Sequence, residues 1–95
     1  MRMTLMMYTT MRRVTSMNAR VNPFTKEVIL RDDSEQERVL EFTELDEWAT
    51  IDFDGNVYDV HFHYEDVFSL SVYPHNENGW TDYTDSILKK VTIEY

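Results

Sequence analysis

Two histidines in a short acidic segment are the residues of this chain best suited to chemistry. The segment Y-D-V-H-F-H-Y-E-D places His61 and His63 between the carboxylates of Asp59 and Glu65. Histidines two residues apart on a strand point to the same side, and such a pair binds zinc or iron when a third ligand is close. If the site holds a metal, we expect Asp46 or Asp59 to be that ligand.

The same segment fits two simpler interpretations. It can be the solvated outer face of an ordinary strand, on which imidazoles and carboxylates only carry charge. It can also be a pH-sensitive pair, because neighbouring carboxylates favour the protonated imidazole and histidine changes its charge near neutral pH. The sequence leaves these interpretations open, and it predicts neither catalytic residues nor a cofactor.

Length and composition predict one folded domain over residues 1–95, because 42% of the residues are hydrophobic and 14% are aromatic. The chain has no cysteine, which excludes disulfides and thiolate metal sites. No apolar run approaches the roughly 20 residues that cross a bilayer, and the opening residues are too polar for the core of a signal peptide. We therefore expect a soluble, cytoplasmic protein.

Charge is distributed unevenly along the chain, whose net charge is −9. Residues 1–30 hold five basic groups and one acid, whereas residues 31–95 hold four basic groups and 17 acids. Between Glu41 and Asp85 there are 12 acids and no lysine or arginine. Such a surface repels nucleic acid and anionic membranes and attracts basic proteins. We expect a basic protein partner, with no direct nucleic-acid or membrane binding.

Turn chemistry predicts the first hairpin around this segment. The Asp-Gly dipeptide at 54–55 favours a two-residue loop, in which both residues need positive φ. Pairing outward from that loop places Thr50 opposite Asp59 and Trp48 opposite His61. Because side chains alternate along a strand, these four residues share the polar face and the intervening apolar residues share the other.

The next turn is predicted from the apolar pattern. A three-residue loop at 64–66 pairs Val60 with Leu70 and His61 with Ser69, and it keeps the apolar side chains on one face. A two-residue loop would mix the faces. The result is a three-stranded antiparallel meander over residues 48–53, 56–63 and 67–73.

Other segments predict further strands and short helices. The sequence predicts a strand at M-T-L-M-M-Y and another at V-T-I-E-Y. It predicts a hairpin formed by K-E-V-I-L-R and R-V-L-E-F, and a turn at Asn78-Gly79. We expect one helical turn that ends at Glu47, with Thr43 as its N-cap. We also expect a short helix that continues to Leu88, with Thr81 or Thr84 as its N-cap. The fold class is therefore mainly β, or α+β. We expect a single domain built on the antiparallel meander, with one or two short helices.

Aromatic residues lie among the acids of the polar face. Trp48 and Tyr73 are expected on the meander, and Trp80 and Tyr83 flank a second acidic segment. Aromatic rings anchor protein interfaces while charge steers the partner, although a second layer of the fold could instead bury these rings. The predicted partner-binding residues are Glu41, Glu44, Asp46, Glu47, Trp48, Asp52, Asp59, Glu65, Asp66, Trp80, Asp82 and Asp85.

We therefore expect a small, acidic, non-enzymatic binding module. In its most specific form it is an inhibitor that docks on the basic surface of a nucleic-acid-binding protein, as phage-encoded inhibitors and DNA mimics do. The alternative is a metal-binding protein or metal-dependent enzyme centred on His61 and His63, with Asp46 as the third ligand. A structural subunit that pairs through an edge strand is a third possibility. Neither the partner's identity nor the oligomeric state follows from the sequence.

Overall fold

The computed structural model describes residues 16–45, 47–63, 65–76 and 85–94. These residues form mostly strands, which confirms the mainly β fold class. The elements in chain order are β1 (Met17–Asn22), β2 (Glu27–Asp32), β3 (Glu37–Glu41), α1 (Phe42–Leu45), β4 (Glu47–Phe53), β5 (Asn56–His63), β6 (Asp66–Pro74) and β7 (Leu88–Ile93). Within these ranges, no helix has the length and apolar character needed to span a bilayer.

The strands form two sheets. One sheet has four strands in the order β3-β2-β1-β7, and the other is the predicted meander, β4-β5-β6. Neighbouring strands are antiparallel except for β1 and β7, which are parallel. The predicted hairpin of K-E-V-I-L-R and R-V-L-E-F is β2 and β3. The predicted M-T-L-M-M-Y strand and Asn78-Gly79 turn lie outside the described residues.

Both sheets bury one face in a shared core. In β1, for example, Met17, Ala19 and Val21 are buried while the residues between them reach solvent. The largest fully buried side chain is Phe62 of the second sheet, which packs on Phe42 of α1 with ring centroids 4.9 Å apart. Burying a phenylalanine side chain contributes about 1.5–3 kcal/mol. The core members are Met17, Ala19, Val21, Val28, Leu30, Leu40, Phe42, Leu45, Ile51, Phe53, Tyr58, Val60, Phe62, Leu70 and Val72.

Hydrogen bonds also join the two sheets at both sides. At one side, Arg38 Nε on β3 donates to the carbonyl oxygen of Asp52 on β4 at 3.1 Å. At the other side, the backbone N–H of Ile87 donates to Val72 on β6, and the N–H of Met17 on β1 donates to Ile87, both at 2.9 Å. The second sheet is therefore fixed against the first, with one face in the core and the other directed outward.

The first hairpin has the predicted register. Asp54 and Gly55 have φ of 49° and 82°, as their two-residue loop requires. Thr50 lies opposite Asp59 and Ile51 lies opposite the buried Tyr58. Local turn chemistry and strand alternation therefore suffice to place the polar residues of β4 and β5.

The register of the second hairpin was predicted wrongly. The sequence pairs Val60 with Leu70, whereas the structure pairs Val60 with Val72, two residues further along. Two residues are one full period of side-chain direction, so both registers bury the same face. Alternation of apolar residues cannot distinguish between them.

A bulge at the end of β5 causes this shift. The register changes between His61 and His63, and His63 pairs with Asp66, so the loop holds two residues rather than three. At the bulge, the backbone N–H of His63 donates to Ser69 Oγ at 2.9 Å. The side chain of Ser69 thus satisfies a donor at the irregular end of the ladder.

The first predicted helical turn exists, but its cap was misplaced. The helix α1 begins at Phe42, so the cap position falls on Glu41 rather than on Thr43. Glu44 Oε2 accepts a hydrogen bond from the N–H of Glu41 at 2.8 Å. This contact is the acidic half of a capping box, two residues earlier than predicted.

The second predicted helix is wrong where it can be examined. Leu88 begins strand β7, which pairs with β1, and Thr81 and Thr84 lie outside the described residues. Ser86 Oγ accepts hydrogen bonds from the N–H groups of Val72 and Leu88 at 3.0 and 3.1 Å. These hydrogen bonds, and pairing with the edge of β1, hold this segment in an extended conformation. Its local sequence preferences alone are also compatible with a helix.

Substitution of the loop glycine should weaken the first hairpin. Gly55→Ala is expected to lower the free energy of unfolding by about 1 kcal/mol, because φ of 82° is unfavourable for a residue with a Cβ. Steric clash is not the cause, since an added Cβ meets no atom within 4 Å. Urea denaturation measures the change, and Thr25→Ala, in an exposed turn, is the control expected to stay within about 0.5 kcal/mol. Equal stability of the two variants would contradict the role given to this turn.

Candidate functional site

The face of the second sheet that points away from the core carries the polar residues singled out in the sequence. We call it the outer face. It contains Trp48, Thr50, Asp52, Asp59, His61, His63, Ser69, Ser71 and Tyr73. Because the chain has no lysine or arginine between Glu41 and Asp85, the only basic side chains that β4, β5 and β6 contribute to this face are imidazoles.

Aromatic and imidazole rings contact one another at the centre of the outer face. The Trp48 ring lies opposite His61, as predicted, with centroids 4.7 Å apart, and lies 6.2 Å from the ring of Tyr73. His61 in turn meets His63 edge-on at 4.7 Å. Trp48 from β4 and Tyr73 from β6 therefore approach each other over the central strand. We call these four residues the ring cluster.

Trp48 is held by these contacts yet stays accessible. It retains 47% of its surface exposed. Aromatic pairs in tilted and edge-on arrangements attract each other, so the indole has a preferred position before any partner arrives. Among the described residues, the other sheet packs against the opposite side and leaves this ring partly exposed.

Asp59 was expected to be solvated, and the structure corrects this expectation. Asp59 is buried, with 6% of its surface exposed. Its Oδ1 accepts a hydrogen bond from Thr50 Oγ1 at 2.9 Å. His75 Nδ1 lies 3.0 Å from both carboxylate oxygens. The carboxylate is thus oriented on two sides, which offsets part of the free-energy cost of removing it from water.

His75 also approaches this site, and its position follows from the register of β6. Asp59 lies opposite Tyr73 instead of the predicted Ser71. The backbone of His75 extends the ladder, and its N–H donates to the carbonyl oxygen of Val57 at 3.0 Å. The imidazole then reaches Asp59 diagonally. The predicted register would have moved His75 two residues away, which is why the sequence did not indicate this pair.

The Asp59–His75 contact orients the imidazole through Nδ1. A carboxylate bound at Nδ1 is the arrangement that positions histidine bases and histidine metal ligands, with Nε2 as the second nitrogen. No hydroxyl group of the described residues hydrogen-bonds to His75. The described residues therefore provide an oriented imidazole without an adjacent nucleophile.

The predicted metal site is only partly present among the described residues. The rings of His61 and His63 are in contact, and Glu47 Oε1 lies 3.9 Å from His63 Nδ1. The described ranges contain no group of three or more histidines and carboxylates arranged to hold a metal ion. Asp46, the expected third ligand, lies outside those ranges, and Asp59 is bound by other partners.

Most of the predicted partner-binding carboxylates are exposed. Glu47, Glu65 and Asp66 lie near the His63 end of the outer face, and Asp52 lies at its other end. We call these four residues the acidic rim. The remaining exposed acids of the predicted set are Glu41, Glu44 and Asp85. Asp46, Trp80 and Asp82 lie outside the described residues.

A shallow pocket of about 200 Å³ opens beside Trp48. Its lining consists of Trp48, Ala49, Thr50 and Asp59. The pocket therefore combines an accessible indole with a buried carboxylate. The sequence indicated both residues but not the cavity between them, because a cavity depends on how neighbouring side chains pack.

No protein-family model, no curated protein and no solved structure matches this chain. The interpretation of its function therefore depends on the geometry and charge of the outer face.

Removal of the Thr50 hydroxyl should destabilise the protein through Asp59. Thr50→Val keeps the side-chain shape but leaves the buried carboxylate without one of its donors, so we expect a loss of about 1–2 kcal/mol in the free energy of unfolding. Chemical denaturation measures it. The matched control is Thr92→Val on the exposed side of β7, expected to stay within about 0.5 kcal/mol. Equal effects would show that the Thr50–Asp59 bond contributes nothing.

Transition metals are expected to leave the thermal midpoint unchanged, because His61 and His63 have no third ligand among the described residues. A ligand at about 100 times its dissociation constant would stabilise the fold by about 2.7 kcal/mol, which a thermal scan detects readily. The measurement uses zinc, nickel and manganese with the wild-type protein and with His63→Ala. A rise in midpoint that His63→Ala abolishes would instead support the metal-binding alternative.

Proposed function

We propose that the protein is a non-enzymatic binding module that docks its outer face on a basic surface of another protein. One observation carries this proposal. An exposed but positioned Trp48 lies among exposed carboxylates, on a sheet formed by a segment with no lysine or arginine. Protein interfaces combine a central aromatic anchor with complementary charge in this way.

The other sheet holds most of the described basic groups, and several are paired with acids there. Arg20 lies 3.3 Å from Glu37 and 3.3 Å from Glu94. Arg31 lies 2.6 Å from Glu35. These exposed pairs contribute little to stability, but they place positive and negative charge together away from the outer face. The strands that carry the acidic rim contribute no lysine or arginine of their own, which favours a cationic partner.

The contacts within the ring cluster also favour binding. Association costs free energy for every side chain that becomes ordered, and Trp48 already packs on His61 and Tyr73. An indole in a defined position presents a large contact area with little further loss of entropy. Trp48 is thus the residue whose removal should weaken the complex most.

In its most specific form, the proposal makes the partner a nucleic-acid-binding protein and makes this chain its inhibitor. An acidic face that occupies a basic groove competes with the nucleic acid normally bound there, as DNA mimics do. Phage-encoded inhibitors are the class that size and charge suggest. A cysteine-free chain is consistent with action in the cytoplasm.

Binding to the partner should depend strongly on salt and on the acidic rim. The immobilised protein is incubated with host lysate at about 0.1 M salt and eluted toward about 1 M, over which the screening length falls from about 10 Å to about 3 Å. We expect basic proteins to be released. With the retained protein purified, Trp48→Ala should weaken binding at least about tenfold, the range typical of an anchor residue.

A charge-matched pair of variants gives the control. The first neutralises the acidic rim through Glu47→Gln, Asp52→Asn, Glu65→Gln and Asp66→Asn. The second removes the same charge from β2, β3 and their turns through Glu27→Gln, Asp33→Asn, Glu35→Gln and Glu37→Gln. Only the first should reduce affinity substantially. An affinity that does not change with salt concentration, or that falls equally in both variants, would contradict docking through the outer face.

A further inference from the structure

The Asp54-Gly55 turn carries a reactive pair of groups as well as the geometry of the first hairpin. Both residues are exposed, and φ values of 49° and 82° match the positive pair of a type I′ turn. Asn56 Nδ2 lies 3.5 Å from the backbone carbonyl oxygen of Asp54, and none of the described residues donates a hydrogen bond to its carboxylate. The side chain of Asp54 is therefore able to turn toward the backbone nitrogen that follows it.

An aspartate that precedes glycine has a chemical route to rearrange its own backbone. The nitrogen of Gly55 attacks the side-chain carbonyl carbon of Asp54, and a new C–N bond closes a succinimide ring. The hydroxyl of the carboxyl group leaves with the amide proton as water. A second water molecule then opens the ring at either carbonyl, which regenerates aspartate or produces isoaspartate. The two products have the same mass, and the reaction needs no enzyme, oxidant or cofactor.

The residue after the aspartate determines how easily this attack occurs. Gly55 has no side chain, and an added Cβ would meet no atom within 4 Å, so open space surrounds its backbone. Asp52, by contrast, precedes the buried Phe53. Asp59 precedes a valine, whose branched side chain crowds the backbone. No other aspartate of the chain precedes a glycine, which makes Asp54 the aspartate with the least hindered neighbour.

The hairpin slows this reaction without preventing it. The succinimide ring contains the Cα–C bond of residue 54, so ring closure moves ψ away from the roughly 30° of a type I′ turn. The turn must therefore open at its tip before the ring forms. Asp54 and Gly55 are exposed, and exposed turns open locally at a lower free energy than the buried core of a sheet. The reaction is thus slower in the folded chain than in urea, but it still selects this position.

We propose that Asp54 is a site of spontaneous isoaspartate formation, and that this modification disrupts the β4–β5 hairpin. In isoaspartate the backbone runs through the side-chain carbon, so the loop is longer and no longer fits a two-residue turn. That turn sets the register in which Thr50 lies opposite Asp59. The inference goes beyond the proposed function, because it concerns the lifetime of the outer face and not its partner.

Peptide mapping of aged protein tests this site. The purified protein is kept in a mildly acidic buffer at physiological temperature, because water leaves more easily from a neutral carboxyl group. A protein L-isoaspartate O-methyltransferase with a labelled methyl donor then marks isoaspartate, and mass spectrometry with electron-transfer fragmentation locates the label. Among the aspartates, most of the label should fall on Asp54. Asp33 and Asp85, which precede serines, are the internal comparison and should carry little.

The Asn78-Gly79 pair, which lies outside the described residues, also forms isoaspartate, but by deamidation. Its product is distinguished by a change in mass, because an acid replaces the amide. Rearrangement at Asp54 leaves the mass unchanged, so the two sites are separated in the same sample.

Two variants keep the turn and change only its chemistry. Asp54→Gly has a Gly-Gly loop without a carboxyl group, so label at position 54 should be lost. Asp54→Asn closes the same ring with loss of ammonia in place of water, so it should react faster and change in mass. Gly-Gly and Asn-Gly are both favoured in two-residue hairpin loops, so both variants should fold. On ageing, the thermal midpoint should fall further in the wild type than in Asp54→Gly, which shares every other site.

Several outcomes would overturn this assignment. Label spread evenly over Asp33, Asp54 and Asp85 would do so. Absence of isoaspartate at residue 54 in the folded protein, under conditions in which the urea-unfolded protein reacts, would show that the turn protects the site completely. Equal falls in thermal midpoint for the wild type and Asp54→Gly would remove the effect on the hairpin. None of these outcomes bears on the proposed function, which the salt-dependent binding experiment decides separately.

Discussion

The outer face depends on one constraint, which is the burial of alternate side chains of β5 in the core between the sheets. Tyr58, Val60 and Phe62 are buried, so the residues between them must point the other way. A shift of one residue would expose the three apolar side chains to water. The position of the polar side chains on one surface is therefore a consequence of core packing, and the fold stabilises the site without requiring any contact within it.

The outer face is not uniformly solvated, because its side chains also pack on one another. Trp48 and Tyr73 meet over the central strand, and Asp59 is buried with hydrogen bonds on both sides. A carboxylate in this position is fixed in direction by its hydrogen bonds, whereas the acids of the rim are exposed. The face therefore has two kinds of negative charge, one oriented beside an indole and the other exposed at the periphery.

These two kinds of charge suit different stages of binding. In the proposed docking, exposed carboxylates would act over about 10 Å at moderate salt and would steer a basic partner toward the face. An oriented carboxylate beside a positioned ring acts only at contact, where geometry and desolvation determine selectivity. Among the described residues, arginine and glutamate side chains of the other sheet pair locally, which places positive and negative charge together there.

The sequence by itself determined the mainly β class, the β2–β3 hairpin and the β4–β5 hairpin with Thr50 opposite Asp59. These features depend on local turn chemistry and on the two-residue period of side-chain direction, and both can be read along the chain. Only the tertiary structure decided the β5–β6 register, the strand at Leu88 and the contact of His75 with Asp59. The register could not be predicted because a shift of two residues leaves the alternation of buried and exposed side chains unchanged. The strand at Leu88 could not be predicted because it pairs with the edge of β1, which is distant in the sequence. The pocket depends on local sequence and on tertiary structure. The local pattern places Trp48 and Asp59 on one face, and long-range contacts determine how they pack.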